Sequence, residues 1–162
     1  MQAGDGETLS SKKERRGLKI ILDAMLGHLL SWFRILGYDT TYWPSGENDD
    51  SLIKEASSSN RVIITRDNLL FQKASRQGMR CVYLPTYDTV EALAYLVKAL
   101  GIEVRFDEDE TRCPECNEKL TKISVNPKRW RCGGCGKEYW IGGHWRNISR
   151  ILEEVRRRVE QA

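Results

Sequence analysis

The sequence contains no run of about 18 or more apolar residues, the length that a helix needs to cross a bilayer. The N-terminal stretch also lacks the short apolar segment of a secretory signal peptide. These two absences exclude a membrane-spanning class, and we expect a cytoplasmic protein without a membrane partner. Apolar residues make up 40% of the 162 residues, which is enough for one domain of ordinary size with a small appendage.

The chain also has little net charge, +3 overall, but this charge is unevenly distributed. From Thr111 onward there are 12 Lys and Arg residues against 6 Asp and Glu residues, a net charge of +6. The part up to Glu110 has 14 against 17, a net charge of −3. A slightly acidic body joined to a basic C-terminal part is typical of a protein that binds a polyanion and holds cations near it. The alternative is a solvated surface that is merely uneven in charge.

The first regular segment of the chain ends in a single carboxylate. Residues 20–22 form an apolar run of the length of a buried parallel strand, and Asp23 follows directly. Apolar residues over 25–36 recur at the spacing of an amphipathic helix, which Gly37 is expected to end. Asp23 therefore lies at a strand-to-helix junction, where open α/β sheets bind their ligands. The alternative role for Asp23 is that of a helix N-cap.

A second junction of the same kind follows later in the chain. Residues 61–65 have the pattern of a strand, and Asp67 follows at its end, before another helical pattern. If the two strands are neighbours in a parallel sheet, Asp23 and Asp67 lie at the same edge. Between these junctions, Asp49 and Asp50 stand just ahead of a further helical run. Three acidic positions are therefore expected to converge.

Strands and helices alternate through the first two thirds of the chain. Further strands are predicted at 38–43 and 79–84, and helices at 49–58, 69–76 and 90–100. This alternation favours βαβ units and a mostly parallel α/β sheet flanked by helices. Residues 1–17 are polar and basic and are predicted to form a disordered tail. The acidic residues 106–110 are predicted to form a solvated linker.

Two C-x-x-C pairs lie in the C-terminal third, with fifteen residues between them. Their cysteines are Cys113, Cys116, Cys132 and Cys135. This spacing matches a structural Zn²⁺ site with four thiolate ligands, in which each pair forms a tight turn. Two disulfides or a redox site are the alternatives. An intracellular chain disfavours disulfides, and a redox site needs only one pair.

Basic and aromatic residues are mixed in the insert between the two pairs. The candidates for RNA binding there are Lys128, Arg129, Trp130 and Arg131. Proteins that bind single-stranded nucleic acid use such a mixture, because cations contact phosphates and rings stack on bases. The aromatic residues are equally expected as the core of a small zinc module. His144, which follows two glycines, is a candidate for phosphate or metal contact or for a structural role.

With these segments in place, the chain resembles the Mut7-C ribonuclease family, a branch of the PIN-like nucleases with a C-terminal zinc ribbon. The matching segments are residues 22–39, residues 61–70 and the two C-x-x-C pairs followed by residues 139–145. The resemblance implies a PIN-like nuclease domain over 18–106 and a zinc ribbon over 111–145. The apolar periodicity of the last segment predicts a helix over 146–162 that packs on the body.

The resemblance further implies a metal-dependent ribonuclease whose acidic residues bind Mg²⁺ or Mn²⁺ and cleave phosphodiester bonds of single-stranded or structured RNA. The positions that match the family's acids are Asp23, Asp67 and either Asp49 or Asp50. Arg66 accompanies Asp67 in its motif and is expected to meet phosphate. Asp88 and Glu91 are candidates for a fourth acid by position alone.

The chemistry of these residues agrees with that expectation. Carboxylate oxygens suit a hard divalent cation, which lowers the pKa of an attacking water. The zinc ribbon would then hold RNA beside the site without taking part in the reaction. Two alternatives stay open: a non-catalytic RNA-binding protein of the same fold, and a ribosome-biogenesis endonuclease, which also joins a PIN domain to a zinc ribbon. A toxin of the toxin–antitoxin kind is disfavoured by the zinc module.

Overall fold

The computed structural model describes residues 17–44 and 48–161 of the chain. The predicted basic tail therefore lies outside the described residues, apart from Gly17.

A four-stranded parallel sheet forms the centre of the molecule. Its strands are β1 (Ile20–Leu22), β2 (Thr40–Tyr42), β3 (Val62–Thr65) and β4 (Cys81–Tyr83), in the order β2-β1-β3-β4. In the register of the sheet, Ile21 lies between Thr41 and Ile63. Because the strands are parallel, their carboxyl ends share one edge, and the residues that follow β1 and β3 are neighbours there. The predicted α/β fold class is confirmed.

Helices cover both faces of this sheet. They are α1 (Leu30–Ile35), α2 (Asp49–Ser59), α3 (Asn68–Arg76), α4 (Thr89–Leu100) and the C-terminal α5 (Gly143–Gln161). Side chains alternate along a strand, so Ile20 and Leu22 join a core cluster with α1, α4 and α5, whereas Ile21 joins a second cluster with α2 and α3. This alternation explains why the strand reads as a continuous apolar run: both of its faces are buried.

The helix that follows β1 is shorter than predicted. A 3-10 turn (Gly27–Leu29) precedes α1, and Met25 has a φ of 78°, which an α-helix does not accommodate. The apolar spacing nevertheless identified the buried side chains, which are Leu26, Leu29, Phe33 and Leu36. The predicted helix over 25–36 is therefore wrong in its first turns, and Asp23 is not an N-cap.

The cysteine-bearing segment forms a three-stranded antiparallel sheet of β5 (Leu120–Val125), β6 (Lys128–Cys132) and β7 (Glu138–Trp140). The acidic stretch before it is not a solvated linker as predicted. Glu108 accepts hydrogen bonds from the Nζ atoms of Lys122 (2.6 Å) and Lys128 (2.8 Å), and its carbonyl accepts one from Trp130 Nε1 (2.9 Å). These contacts hold the stretch against the small sheet.

The C-terminal helix α5 begins at Gly143, three residues earlier than predicted. Leu152 and Val155 belong to the main core cluster, and Arg156 Nη1 donates to the carbonyl of Val104 (2.8 Å). The helix therefore packs on the α/β body. None of the helices in the described part of the chain is both long and apolar enough to cross a bilayer.

Candidate metal centres

The four cysteine thiols converge on one point. All their Sγ atoms lie within 4.8 Å of one another, with 3.7 Å between those of Cys113 and Cys135 and 3.0 Å between those of Cys116 and Cys132. Bonds of about 2.3 Å to a tetrahedral zinc ion place sulfurs about 3.8 Å apart. The donor set and its spacing therefore fit a structural Zn²⁺ with four thiolate ligands.

Each cysteine pair is held by a tight backbone turn. Asn117 and Gly136, directly after the pairs, have φ of 72° and 76°, in the left-handed region that such tight turns use. Their amides donate to the carbonyls of Cys113 and Cys132, both at 2.9 Å. The amide of Gly134 donates to Cys132 Sγ (3.3 Å). Such N–H donors stabilise the thiolate form that zinc requires.

Cys113 has a pronounced thiolate character. Burial raises the pKa of its thiol, but this effect is outweighed by hydrogen bonds from the Tyr139 hydroxyl (3.1 Å) and from backbone amides, which lower the pKa to about 6. Burial raises the pKa of Tyr139 well above its ordinary value, and the hydrogen bond to Cys113 adds to the rise. The Tyr139 hydroxyl therefore stays protonated at neutral pH and serves as a donor to the candidate zinc ligand.

The first cysteine turn is fastened to the α/β body. Arg34 of α1, whose residue is only 8% exposed, donates from Nη1 to the carbonyl of Pro114 (2.8 Å) and from Nε to that of Thr40 (3.0 Å). Asn117 accepts from the Thr40 amide (3.1 Å) and donates to Asp39 Oδ1 (2.6 Å). The cysteine turn and the start of β2 therefore share one hydrogen-bond network.

The acidic residues at the carboxyl edge of the sheet are joined by one hydroxyl group. Thr65, fully buried at the end of β3, donates from Oγ1 to Asp23 Oδ2 (2.7 Å) and accepts from the amide of Asp67 (2.9 Å). The amide of Asp23 donates to the carbonyl of Ile64 (3.0 Å). Adjacent parallel strands thus bring the two predicted acids together.

Asp67 is also the N-cap of α3. Its Oδ1 accepts from the amides of Leu69 (2.9 Å) and Leu70 (3.3 Å), which would otherwise lack partners in the first turn. These two hydrogen bonds fix the orientation of the Asp67 carboxylate. They use only Oδ1, so Oδ2 is not engaged by the helix.

The first turn of α2 separates the two acids that the sequence left as alternatives. Asp50 Oδ1 lies 2.6 Å from Lys73 Nζ, and its side chain is 75% exposed. Burial raises the pKa of Asp49, and the negative charges of Asp67 and Asp23 add to the rise. The pKa of Asp49 therefore depends on the charges of Asp67 and Asp23, and Asp50 is held by Lys73.

The three carboxylates share an electrostatic environment rather than a tight set of contacts. Among the residues that the structure describes, the four thiols are the one group of three or more metal-binding side chains gathered closely enough to hold an ion. The two candidates for a fourth acid have other partners. Asp88 caps α4 by accepting from the Glu91 amide (3.0 Å), and Glu91 Oε1 lies 3.1 Å from Arg158 Nη1.

Of the predicted RNA contacts, Trp130 requires a correction. It is only 3% exposed, donates to the Glu108 carbonyl and packs edge-on against Phe106 at 5.8 Å between ring centroids. A ring enclosed in this way has no free face for a base, so Trp130 belongs to the core of the ribbon. The exposed tryptophan of the ribbon is Trp140, at 65%.

The other candidates for RNA contact lie at the surface or near it. Lys128 pairs with Glu108, and Arg131 Nη2 lies 3.0 Å from Glu138 Oε2, whereas Arg129 is exposed. The remaining two are Arg66, whose Nε donates to the Leu84 carbonyl (3.3 Å), and His144, which is exposed in the first turn of α5. Sequence reasoning missed Arg34, because a lone arginine in a helix gives no signal until its partners are known.

Together the fold and the two sites define an α/β protein with an acidic edge on a parallel sheet and a four-cysteine ribbon. The family model described as Mut7-C RNAse domain matches residues 18–152, and the chain belongs to this family, as predicted. Membership indicates a ribonuclease-like function. Neither the curated proteins nor the solved structures gave a significant match.

Proposed function

We propose that the chain is a metal-dependent ribonuclease that cleaves RNA phosphodiester bonds at a Mg²⁺ or Mn²⁺ centre formed by Asp23, Asp49 and Asp67. The observation that carries this proposal is the meeting of Asp23 and Asp67 at the carboxyl edge of the sheet, where the Thr65 hydroxyl donates to Asp23 Oδ2 (2.7 Å) and accepts from the Asp67 amide (2.9 Å). The raised pKa of Asp49, to which both of these carboxylates contribute after burial, agrees with it. Carboxylates that repel one another at the edge of a sheet are stabilised by a divalent cation between them. Membership of a ribonuclease family supports RNA as the substrate.

The side chains have distinct roles in this proposal. Asp67 Oδ1 is engaged by α3, so Oδ2 is the oxygen that would hold a cation. Thr65 orients Asp23 by donating to its Oδ2. When bound by these carboxylates, a divalent cation would supply an activated water and neutralise charge on the leaving oxygen. The ribbon with its structural zinc holds the RNA beside this edge.

The test is cleavage of an unstructured RNA by the full chain with Mn²⁺ or Mg²⁺ and with EDTA, beside the variant Asp23→Asn. Asp23→Asn keeps the size of the side chain and an oxygen for Thr65, but removes the charge. We expect metal-dependent cleavage by the wild type and a loss of at least about 100-fold in the variant. Equal cleavage by both proteins, or cleavage that persists in EDTA, would overturn the proposal.

A second candidate function is RNA binding without turnover. It is favoured by the partners of Asp88 and Glu91, which cap α4 and pair with Arg158 instead of adding a fourth acid. Under this alternative, the wild type binds RNA in the presence of Mn²⁺ but leaves it intact, and Asp23→Asn binds equally well.

A further inference from the structure

The outward face of the ribbon carries an exposed tryptophan beside an arginine. In the antiparallel pairing of β6 and β7, Arg129 is opposite Trp140, and Trp130 is opposite Tyr139. Residues opposite each other project to the same side of a sheet, and successive residues project to opposite sides. Trp130 is buried against the acidic stretch, so Arg129 and Trp140 lie together on the other, solvent-facing side.

The backbone that follows holds the indole of Trp140 in place. A Cβ atom at Gly142 would lie 3.3 Å from Trp140 Nε1, so the bare glycine backbone lies close against the edge of the ring. The amide of Trp145 donates to the Gly142 carbonyl (3.0 Å), which joins this turn to α5. Trp140, Ile141 and Trp145 also border an apolar cleft between the ribbon and the body. The ring is therefore supported at its edge while 65% of the residue stays exposed.

The charge around this tryptophan is positive. In the part of the chain that the structure describes, Arg129 has no carboxylate within 4.0 Å. Arg112, which borders the same cleft, donates to the carbonyls of Asn117 (2.9 Å) and Gly37 (3.4 Å), and its charge also acts on Asp39. The acid on this face of β7, Glu138, is paired with Arg131. The surface therefore complements an anion.

We propose that Trp140 and Arg129 bind one unpaired nucleotide of an RNA strand, with the base stacked on the indole and a phosphate on the guanidinium. This inference rests on the proposed ribonuclease function and extends it by naming where the ribbon holds the substrate. Only an unpaired base offers a free face for stacking, and every base has such a face, so the site favours single strands without selecting a sequence. An acidic peptide would match the charge but leave the exposed ring without a planar partner.

The experiment measures binding of a fluorescent, unstructured 12-nucleotide RNA to the full-length, zinc-loaded chain by anisotropy. Asp23→Asn is the common background, so the RNA stays intact. We expect Trp140→Ala to weaken binding about 5- to 100-fold, since one stacked base contributes on that scale, and Trp140→Phe to retain most of the affinity. Arg129→Ala should lower the slope of log affinity against log salt by about 0.7, the share of one phosphate.

The matched control is Tyr95→Ala, which removes another exposed aromatic ring, 40% exposed on α4. It should bind RNA as the background protein does. Unchanged affinity of Trp140→Ala, with normal zinc content and melting temperature, would overturn the inference. So would a duplex of the same length, or polyglutamate, that competes as well as the single strand. If Trp140→Ala loses zinc, the RNA affinities of Trp140→Leu and Trp140→Phe test the inference instead. A stacking site should keep its affinity with phenylalanine at this position and lose it with leucine.

The cleavage and binding measurements together distinguish a wrong RNA-binding surface from a wrong catalytic function. Wild-type cleavage with unchanged binding by Trp140→Ala would leave the nuclease centre and reject this surface. Weakened binding by Trp140→Ala without any wild-type cleavage would keep the surface and reject catalysis.

Discussion

Asp67 caps α3 and, in the proposed function, also binds the cation, and a pair of substitutions separates these two roles. The side-chain oxygen of an asparagine still accepts hydrogen bonds from the amides of Leu69 and Leu70, so Asp67→Asn should keep the cap of α3. Asp67→Ala should lose about 1 kcal/mol of unfolding free energy with the cap. Both variants should lose RNA cleavage, because both lack the carboxylate. Urea denaturation beside a cleavage assay checks this; an active Asp67→Asn would show that the residue is only a cap.

Thr65 acts through its neighbour, because its hydroxyl touches Asp23 and the amide of Asp67. Thr65→Val keeps the shape of the side chain but removes the donor to Asp23. We expect Mn²⁺ affinity or cleavage to fall about 10- to 100-fold, the usual cost of losing a residue that orients a metal ligand. Thr65→Ser, which keeps the hydroxyl, should retain most of the activity. Equal losses in both variants would assign Thr65 to packing alone.

Asp49 should lower the stability of the protein at neutral pH when no divalent cation is present. Its pKa is raised in the folded state by burial and by Asp67 and Asp23, so the folded state binds its proton more tightly than the unfolded state. Stability is therefore lost as the pH rises from about 4, the unfolded value, through the raised pKa. Asp49→Asn should melt higher than the wild type at pH 7, and saturating Mg²⁺ should reduce or reverse the difference. A lower melting temperature for Asp49→Asn without Mg²⁺ would contradict this assignment.

At the scale of residues, the sequence predicts the positions of some candidate site residues and not of others. Asp23 and Asp67 follow apolar runs that could be recognised as strands, so their convergence was predictable. Asp49 and Asp50 are adjacent in sequence, and only the position of Lys73 beside Asp50 separates them. Trp130 and Trp140 look alike in a basic, aromatic stretch, because which face of a short antiparallel strand is buried depends on the register and on what the ribbon packs against.

Among the elements, the first cysteine turn stands out, because it is part of the α/β body rather than an independent appendage. Arg34 is buried beneath it, and its positive charge lies near the Cys113 and Cys116 thiols. Asp39, which accepts from Asn117, also pairs with Arg61 just before β3 (2.9 Å). The network therefore runs from the candidate zinc ligands to the beginning of the parallel sheet.

Loss of zinc should consequently destabilise the whole body. Chelation should lower the melting temperature of the full chain in one transition, monitored by calorimetry. Arg34→Met should cost about 2–3 kcal/mol and weaken zinc binding, because the carbonyls of Pro114 and Thr40 lose a buried donor. Arg131→Met, which breaks the exposed pair with Glu138, should change stability by no more than about 0.5 kcal/mol. Separate melting of the ribbon, with the body unchanged, would contradict this coupling.

The type and order of the elements were more predictable than their ends and contacts. The predicted strands and helices reappear in the same order, since apolar periodicity reports which side of an element is buried. The sequence predicts too long a helix after β1. Met25 has a left-handed backbone that residues other than glycine rarely adopt, so the sequence gives no signal that the helix starts later. The sequence predicts a solvated acidic stretch, because its partners Lys122 and Lys128 lie on strands that sequence alone does not place beside Glu108.

For the molecule as a whole, the uneven charge agrees with the proposal that one part binds a cation and the other part binds RNA. The part up to Glu110 has a net charge of −3 and contains the acidic edge, and the part from Thr111 has +6 and contains the ribbon and α5. Such a distribution of charge favours a cation near the first part and a polyanion near the second. Because the cysteine turn is fastened to the body through Arg34 and Asn117, the two parts hold a fixed relation to each other within one folding unit.

The most direct measurement compares RNA cleavage by Asp49→Asn and Asp50→Asn in Mn²⁺, under conditions where the wild type turns over. The two substitutions remove the same charge from neighbouring positions of one helical turn. The charges of Asp23 and Asp67 contribute to the raised pKa of Asp49, whereas Asp50 is exposed and pairs with Lys73. We predict that Asp49→Asn loses at least about 100-fold in cleavage rate and that Asp50→Asn stays within about 3-fold of the wild type. Equal effects of the two substitutions, or a larger loss in Asp50→Asn, would contradict a catalytic centre formed by Asp23, Asp49 and Asp67.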